Sequence, residues 1–388
     1  MDSMSNVLQM GLIGCGGIMG AHVNGLRQLW EKGYKSCVIP AVCDCDLSRA
    51  ENIARSIEEW QGAKPRVYAD FREMLEKEPE MQAVDLALVH RVHHTVAVPC
   101  LEAGKHVTIE KPLGLTMRAC HAIINAAKQN NCVLQTAENY RRAPEERALN
   151  WAIKEGMIGE LRMIYWVDVT ERLWYWGWRD DVDQAGGGWS MDGGVHFADL
   201  FRYHIGEVRD LYAVSKAYHP FRYGKPETME DPIPATVEDS TFAVLNFQNG
   251  VTGQWNYTSA APGYSFSERA VYGSKGSFKW GVGLKNRQQE LSIQDLVRLY
   301  MEQLSDEDKQ RLFPFGITDT FATELYEFIE AVLHGTPVEI DGVEGMKDEA
   351  ISLALYESSE LNAPVEISKI ENCEIENYQH RFNEQVGL

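Results

Sequence analysis

Apolar residues in the first third of the chain fall into short continuous runs separated by stretches with helical spacing. Residues 7–13, "VLQMGLI", read as a buried strand that runs into "GCGGIMGAH", and a helix pattern follows through "AHVNGLRQLWEKG". The run "CVIPAVCD" is a second strand, followed by a helix over "LSRAENIARSIEEW". "RVYADFREMLEKEP" gives a short strand and a helix, and "AVDLALVH" a further strand. "TVAVPCLEAGK", "HVTIEKP", "TMRACHAIINAAKQNN" and "CVLQTAENY" continue the alternation. Strand–helix alternation at this spacing predicts right-handed crossovers and a doubly wound parallel sheet.

The texture changes after about residue 140. The helix "PEERALNWAIKEG" leads to alternating runs such as "RMIYWVDVTE", "DLYAVSKAY", "STFAVLNF" and "GVTGQWNYT". Short Gly or Asn turns, as in "FQNGVTG", favour antiparallel neighbours. Two amphipathic helices, "TELYEFIEAVLHG" and "MKDEAISLALYESSELN", come near the end. The expected organisation is α/β: a nucleotide-type domain over 1–140 and an α+β domain over 141–388.

Length and composition fit that division. A chain of 388 residues exceeds one core of ~150 residues. Its 44% apolar and 24% charged content is that of a globular protein. Asp and Glu outnumber Lys and Arg by 57 to 37, a net charge of −20. Such a surface repels phosphate backbones and anionic lipid, so neither nucleic acid nor membrane is an expected partner. The eight cysteines are scattered, and Cys15, Cys43 and Cys100 sit in or beside apolar runs as reduced core thiols do. The opening residues pass into a strand with no leader-like segment, and the cytoplasm is the expected compartment.

Chemistry enters at three places. Gly14 and Gly16 follow the first strand and open the first helix. There a tight turn, a close backbone approach and helix N-terminal amides suit a pyrophosphate, although an empty glycine turn has the same pattern. Asp44 closes the second strand, where a carboxylate can bond adenosine ribose hydroxyls and repel a 2′-phosphate. NAD is therefore expected over NADP, the alternative being a solvated turn aspartate. Glu110-Lys111-Pro112 ends the strand "HVTI", at the edge where such sheets bind ligands; a lysine there can steady an alkoxide, or the motif is a surface turn.

The stretch "SMDGGVHFADL" carries Asp192 and His196 four residues apart. If 192–204 is helical, both side chains lie on one face. An imidazole suits removal of a hydroxyl proton as hydride leaves the same carbon, and the aspartate can hold a hydroxyl or favour the imidazolium. Gly193 and Gly194 are expected to let a ligand approach the first turn closely. An N-cap aspartate and a satisfied core histidine would give the same letters.

With "GLIGCGGIMGAH", "AVCDCDLSRAENIA", "LEAGKHVTIEKPLG", "ENYRRAPEERAL", "WRDDVDQAGGGWSMDGGVHFADL", "VEDSTFAVLNFQNG", "YGSKGSF" and "DEAISLALYES" in that order, nearly the whole chain resembles the Gfo/Idh/MocA family of NAD(P)-dependent oxidoreductases. The resemblance implies a Rossmann domain followed by an α/β domain whose open, largely antiparallel sheet forms homo-oligomer contacts in a dimer or tetramer. It implies His196 as base, Lys111 at the developing oxyanion, and Asp192 orienting substrate or base. Gly14, Gly16, Gly17, Ile18, Met19, Asp44, His93, Glu110 and Lys111 are the expected cofactor contacts. Tyr140, Trp178, Arg179, Asp192 and His196 are the expected substrate contacts.

Two departures stand out. Met19 occupies a position where the family carries a small residue, and Leu88-Val89-His90 replaces its T-P-N segment. His90, His93 and His94 could converge on a metal, as could Cys43 and Cys45, but no metal is expected.

The segment "ERLWYWGWRDDVDQAGGGW" brings Trp174, Tyr175, Trp176, Trp178 and Trp189 together with Arg179 and three aspartates. Aromatic faces against C–H groups, with charged groups gripping hydroxyls, predict a neutral carbohydrate site, although some of these aromatics also suit a core or subunit contact. The expected reaction oxidises a secondary hydroxyl of a sugar, glycoside or cyclitol to a ketone, with glycoside 3-oxidation as a specific form. The rival readings are an NAD-dependent glycoside hydrolase working by transient oxidation and elimination, and a non-catalytic NAD-binding regulator.

Overall fold

A computed structural model describes residues 7–388 and separates them into two compact units. Residues 1–6, on which the leader reading partly rests, lie outside the described residues.

The first unit takes, of the described residues, 7–114, 119–143 and 304–345. Its elements begin β1 (Leu8–Ile13), α1 (Gly17–Glu31), β2 (Cys37–Val38), β3 (Ala41–Cys43), α2 (Leu47–Gln61), β4 (Arg66–Tyr68) and α3 (Phe71–Lys77). They continue with β5 (Ala83–Leu86), α4 (His93–Glu102), β6 (His106–Glu110), α5 (Met117–Gln129) and β7 (Leu134–Ala137). All strands are parallel, in the order β4-β3-β1-β5-β6-β7 with β2 alongside β1. The near-continuous apolar runs are buried strands: Leu8, Met10 and Leu12 of β1 have no exposed surface. Asp46 and Asp70 cap α2 and α3 by accepting from Ser48 and Arg72 amides. Helix α1 has only Gly16 at its cap and no side-chain acceptor there.

The second unit, 144–303 with 115–118 and 346–388, begins with α6 (Pro144–Lys154), β8 (Leu161–Val169), α7 (Val182–Ala185), α8 (Trp189–Asp192) and α9 (Gly194–His204). Then come β9 (Val208–Lys216), β10 (Phe221–Lys225), β11 (Glu230–Pro234), β12 (Ser240–Phe247), β13 (Thr252–Thr258) and β14 (Phe266–Gly273). β15 (Gly276–Lys279), β16 (Gly283–Asn286), β17 (Glu290–Ser292) and α10 (Ile293–Gln303) follow. α11 (Asp306–Leu312) and α12 (Thr320–His334) return to the first unit, and α13 (Gly342–Leu361) and β18 (Val365–Glu366) lead towards the end of the chain.

The large sheet runs β17-β16-β15-β14-β8-β13-β12-β9-β18 and is antiparallel except where β13 pairs with β8. The turn "FQNG" closes the β12–β13 hairpin, with Gly250 at φ +87°. Beneath the sheet, Trp166 of β8 meets Phe197 and Phe201 of α9 at 4.7 and 5.4 Å, and Trp255 of β13 meets Phe201 at 5.2 Å. Such pairs contribute about 0.5–1.5 kcal/mol each beyond burial, which fixes α9 on the sheet.

The units change between 143 and 144, while 304–345 clusters with the first unit and 115–118 with the second. The reason is packing: α12 lies on α1 where Gly25 brings the backbones so close that a Cβ would sit 2.8 Å from the Ala322 nitrogen. That long-range contact has no signature in local periodicity.

Candidate active site

In the first unit the carboxyl ends of the strands gather one edge of the sheet. Gly14 turns there at φ +88°, and a Cβ on it would meet the Ala87 carbonyl oxygen at 2.2 Å, so only glycine fits. Gly16 and Gly17 face open space. The uncapped first turn of α1 therefore presents amides without intrahelical partners to that space. Met19 contributes at most its backbone there, because its side chain is wholly buried in the core.

Asp44 follows β3 with its carboxylate turned back onto the loop. Its Oδ2 accepts from the Cys15 amide at 2.7 Å and its Oδ1 from the Asp46 amide at 2.8 Å. The aspartate thus shapes the glycine loop as well as offering its remaining lone pairs. Burial, reinforced by Asp44, pushes the Cys15 and Cys43 thiols up to about 12, so both stay protonated.

Lys111 leaves β6 half-buried, in a turn held from two sides. His22, overlooked in the sequence, is fully buried on α1 and donates to Asp85 Oδ2 at 2.8 Å and Glu110 Oε1 at 3.1 Å. Burial alone would lower its basicity, but Asp85 and Glu110 outweigh that and hold His22 as imidazolium. Removing the imidazole would break its pairing with two buried carboxylates, a change that costs about 3–5 kcal/mol in comparable sites. On the other side, His93 Nδ1 donates to the Pro112 carbonyl at 2.8 Å, while its Nε2 faces the Leu88 carbonyl at 3.2 Å. Burial, with His90 adding to it, pushes His93 down to about 4 and keeps it neutral. Expected as a cofactor contact, His93 has both nitrogens turned to backbone carbonyls. His90 stands edge-on to it at 5.7 Å, and among the described residues no three His, Cys, Asp or Glu side chains form a metal-holding group. Tyr140 is 39% exposed on a single 3-10 turn, Tyr140–Arg142.

In the second unit a cavity of about 130 Å³ is lined by Trp174, Trp176, Trp189, Tyr257, Asp192 and Glu238, with Arg172, Arg179, Gly188 and Ser259 completing it. Trp189 stacks on Tyr257 at 5.1 Å and near Trp176 at 6.4 Å, so aromatic faces form its walls. Its cations are paired. Arg172 bonds Asp180 at 2.7 and 3.2 Å, and Arg179 Nε lies 3.1 Å from Asp192 Oδ2. Trp178 is not part of this lining but carries the Arg179 guanidinium over its ring at 4.4 Å.

Glu238, also missed in the sequence, accepts from the Gly188 and Ser190 amides at 2.6 and 3.1 Å and from the Tyr356 hydroxyl at 2.8 Å. It thereby pins the start of α8, whose last residue is Asp192. Burial raises its pKa against the pull of those donors.

The motif around Asp192 differs from expectation in two respects. The helix is interrupted: α8 ends at Asp192 and α9 starts at Gly194, with Gly193 between them at φ −96°, ψ −30°. That helical backbone keeps Asp192 one turn before His196, which is 8% exposed in the first turn of α9. The glycines are also closed to ligands. A Cβ on Gly193 would strike the Trp189 ring at 2.6 Å, and one on Gly194 the Trp255 ring at 3.0 Å. They admit tryptophans from this chain, which the sequence could not reveal because Trp255 comes from a distant strand.

Residues 8–138 match the family model described as "Oxidoreductase family, NAD-binding Rossmann fold", and 151–367 match "Oxidoreductase family, C-terminal alpha/beta domain". The chain is 27% identical over 330 residues to a levoglucosan dehydrogenase of Pseudarthrobacter phenanthrenivorans, covering 78% of this chain and 84% of that protein. It is 25% identical to a myo-inositol 2-dehydrogenase of Thermotoga maritima over 94% of this chain and 99% of that one. A solved levoglucosan dehydrogenase in complex with NADH and L-sorbose superposes with a TM-score of 0.75 at 23% identity, over 94% of this chain and 99% of its own. At that identity the superposition speaks for the fold.

The glycine turn, the open first helical turn and the Asp44 carboxylate fit a dinucleotide. Asp44→Ser is expected to lower the preference for NAD over NADP by about tenfold or more, since it removes a charge that opposes a 2′-phosphate. Cofactor titrations by NADH and NADPH fluorescence check this, and an unchanged ratio would take the ribose contact away from Asp44.

Proposed function

The chain belongs to the Gfo/Idh/MocA oxidoreductase family, and from that premise we propose that it oxidises a secondary hydroxyl of a neutral sugar, glycoside or cyclitol to a ketone, using NAD. That it is an oxidoreductase with an NAD-binding Rossmann domain follows from membership; the substrate and the residue roles are the proposal. NAD, when bound, would supply the hydride acceptor, and Gly14, Gly16, Gly17, Ile18 and Asp44 would hold it, with the Met19 amide in the same helical turn.

The observation that carries the substrate reading is the aromatic cavity beside Asp192. Its arginines are each matched by a carboxylate, so it offers no uncompensated positive charge to an anionic substrate. Tryptophan faces suit pyranose or cyclitol C–H surfaces, while Asp192, Glu238 and the guanidiniums suit hydroxyls. In this scheme His196 takes the hydroxyl proton as the carbon–hydrogen bond breaks. Lys111 donates to the oxygen as it becomes a carbonyl, and Asp192, held by Arg179, orients the substrate.

The outward positions of the large sheet support a homo-oligomer. Met163, Tyr165 and Tyr272 on β8 and β14, and Tyr212, Phe242 and Val244 on β9 and β12, are each 38–43% exposed, and exposed apolar side chains grouped in this way suit a subunit contact. No helix among the described residues is long and apolar enough to cross a membrane.

Two measurements test the proposal. A panel of neutral sugars, glycosides, cyclitols and uronic acids with NAD, followed at 340 nm (about the absorbance maximum of the reduced cofactor), is expected to give NADH with neutral members and at least about tenfold less kcat/KM with uronates. A uronate as best substrate, or glycoside cleavage without NADH, would overturn it. Sedimentation of Phe242→Asp/Val244→Asp is expected to show a smaller assembly than the wild type; a monomeric wild type would contradict the interface.

A further inference from the structure

We propose that Trp174 is the platform of a second subsite, at the mouth of the aromatic cavity, which takes a ring glycosidically linked to the one being oxidised. The substrate class is then a glycoside with a ring-shaped, uncharged substituent; that its first ring is oxidised rests on the dehydrogenase reading above.

The size of the cavity gives the first reason. It measures about 130 Å³. A cavity of ~150 Å³ holds a single benzene ring, and pockets that enclose a whole drug-sized ligand run to ~300–1,000 Å³. One saccharide ring fills such a space, and anything attached to that ring has to leave through the mouth. The four aromatic side chains of the lining mark where the mouth lies. Trp176, Trp189 and Tyr257 are half-buried, whereas Trp174 is 46% exposed. Trp174 thus faces the cavity and the solvent at once, and a group emerging past it meets an indole.

An exposed side chain binds well only if little freedom is left for the ligand to remove. Trp174 is fixed in that way. Asp180, 1% exposed, accepts from Arg172 at 2.7 and 3.2 Å and from the Trp176 amide at 2.6 Å. Arg172, so anchored, carries its guanidinium 5.2 Å from the Trp174 ring centre and 5.5 Å from that of Trp176, and donates to the Trp174 carbonyl at 3.2 Å. Trp174 meets Trp176 edge-on at 5.6 Å. The backbone is pinned as well: Trp174 pairs with Tyr223 of β10, whose amide donates to the Leu173 carbonyl at 2.8 Å. An indole face suits the C–H face of a pyranose or an aryl ring, and because Arg172 is matched by Asp180 an anionic substituent gains little there.

The test uses methyl and phenyl glycosides of glucose, galactose and mannose in both anomeric forms, with cellobiose and maltose beside them. Wild type, Trp174→Ala and Trp174→Phe are compared in two readouts: kcat/KM for NAD reduction and, without turnover, Kd for the protein–NADH complex by calorimetry. The quantity read is the preference for the phenyl glycoside or disaccharide over the methyl glycoside of the same sugar. The wild type is expected to favour the larger glycosides by about fivefold or more in both readouts. Trp174→Ala should bring that ratio towards one, and Trp174→Phe, which keeps a ring, should retain most of it. A gain shared by phenyl glycosides and disaccharides, or confined to one of them, tells which kind of ring the subsite takes.

No preference for the larger glycosides in the wild type, or the same preference in Trp174→Ala, would overturn the proposal. A Trp174→Ala protein that keeps the preference and sediments as a smaller assembly would place the indole at a subunit contact instead. Should Trp174→Ala fail to fold, Trp174→Leu removes the aromatic face with less loss of packing and carries the same expectations. Binding that favours the phenyl glycosides in the wild type and not in Trp174→Ala, with no NADH formed from any of them, leaves the subsite standing and defeats the oxidation reading alone.

Discussion

In a parallel sheet every strand ends on the same edge, and that constraint organises the first unit. Gly14 after β1, Asp44 after β3 and Lys111 after β6 come from positions spread over nearly a hundred residues, yet they share one rim because their strands run the same way. The rim is reinforced from beneath. Asp44 ties its carboxylate to the glycine loop, and His22 joins the helix that opens behind that loop to the strands carrying Asp85 and Glu110. A buried cation between two carboxylates is a poor source of stability but a specific one of geometry, since any slip of helix against strand separates the paired charges.

The second unit solves a different problem: how to hold short, glycine-broken helices firmly enough to present an aspartate and a histidine. It does so with aromatic contacts and one carboxylate. Phe197 and Phe201 anchor α9 on Trp166 and Trp255, and Glu238 takes the amides at the start of α8. The glycines at 193 and 194 are part of that packing, because a side chain there would displace a tryptophan. Aromatic walls and arginines paired with carboxylates then line the cavity.

Periodicity and local motifs made the parallel sheet, the later switch to alternating strands, the glycine turn, Asp44, Lys111 and the Asp192–His196 pair legible in the chain. Each depends on residues close in sequence. His22 and Glu238 were not legible, because their partners lie 63, 88 and about 50 residues away and nothing near them marks the pairing. The return of 304–345 to the first unit escaped for the same reason, since Gly25 shows its purpose only with Ala322 against it. Met19 and His93 were expected at the cofactor because of where they stand in the motif. The buried surroundings that draw their side chains inward are tertiary.

We propose that His196 takes the hydroxyl proton as hydride passes to NAD. Single-turnover reduction of NAD by the best neutral substrate from the panel, compared in wild type and His196→Ala across the pH range, tests this most directly. The account predicts unchanged NADH affinity and a rate about 10²–10⁴-fold lower near neutral pH, with the deficit narrowing as the pH rises and hydroxide replaces the missing base. A His196→Ala enzyme that transfers hydride at the wild-type rate at neutral pH would contradict it.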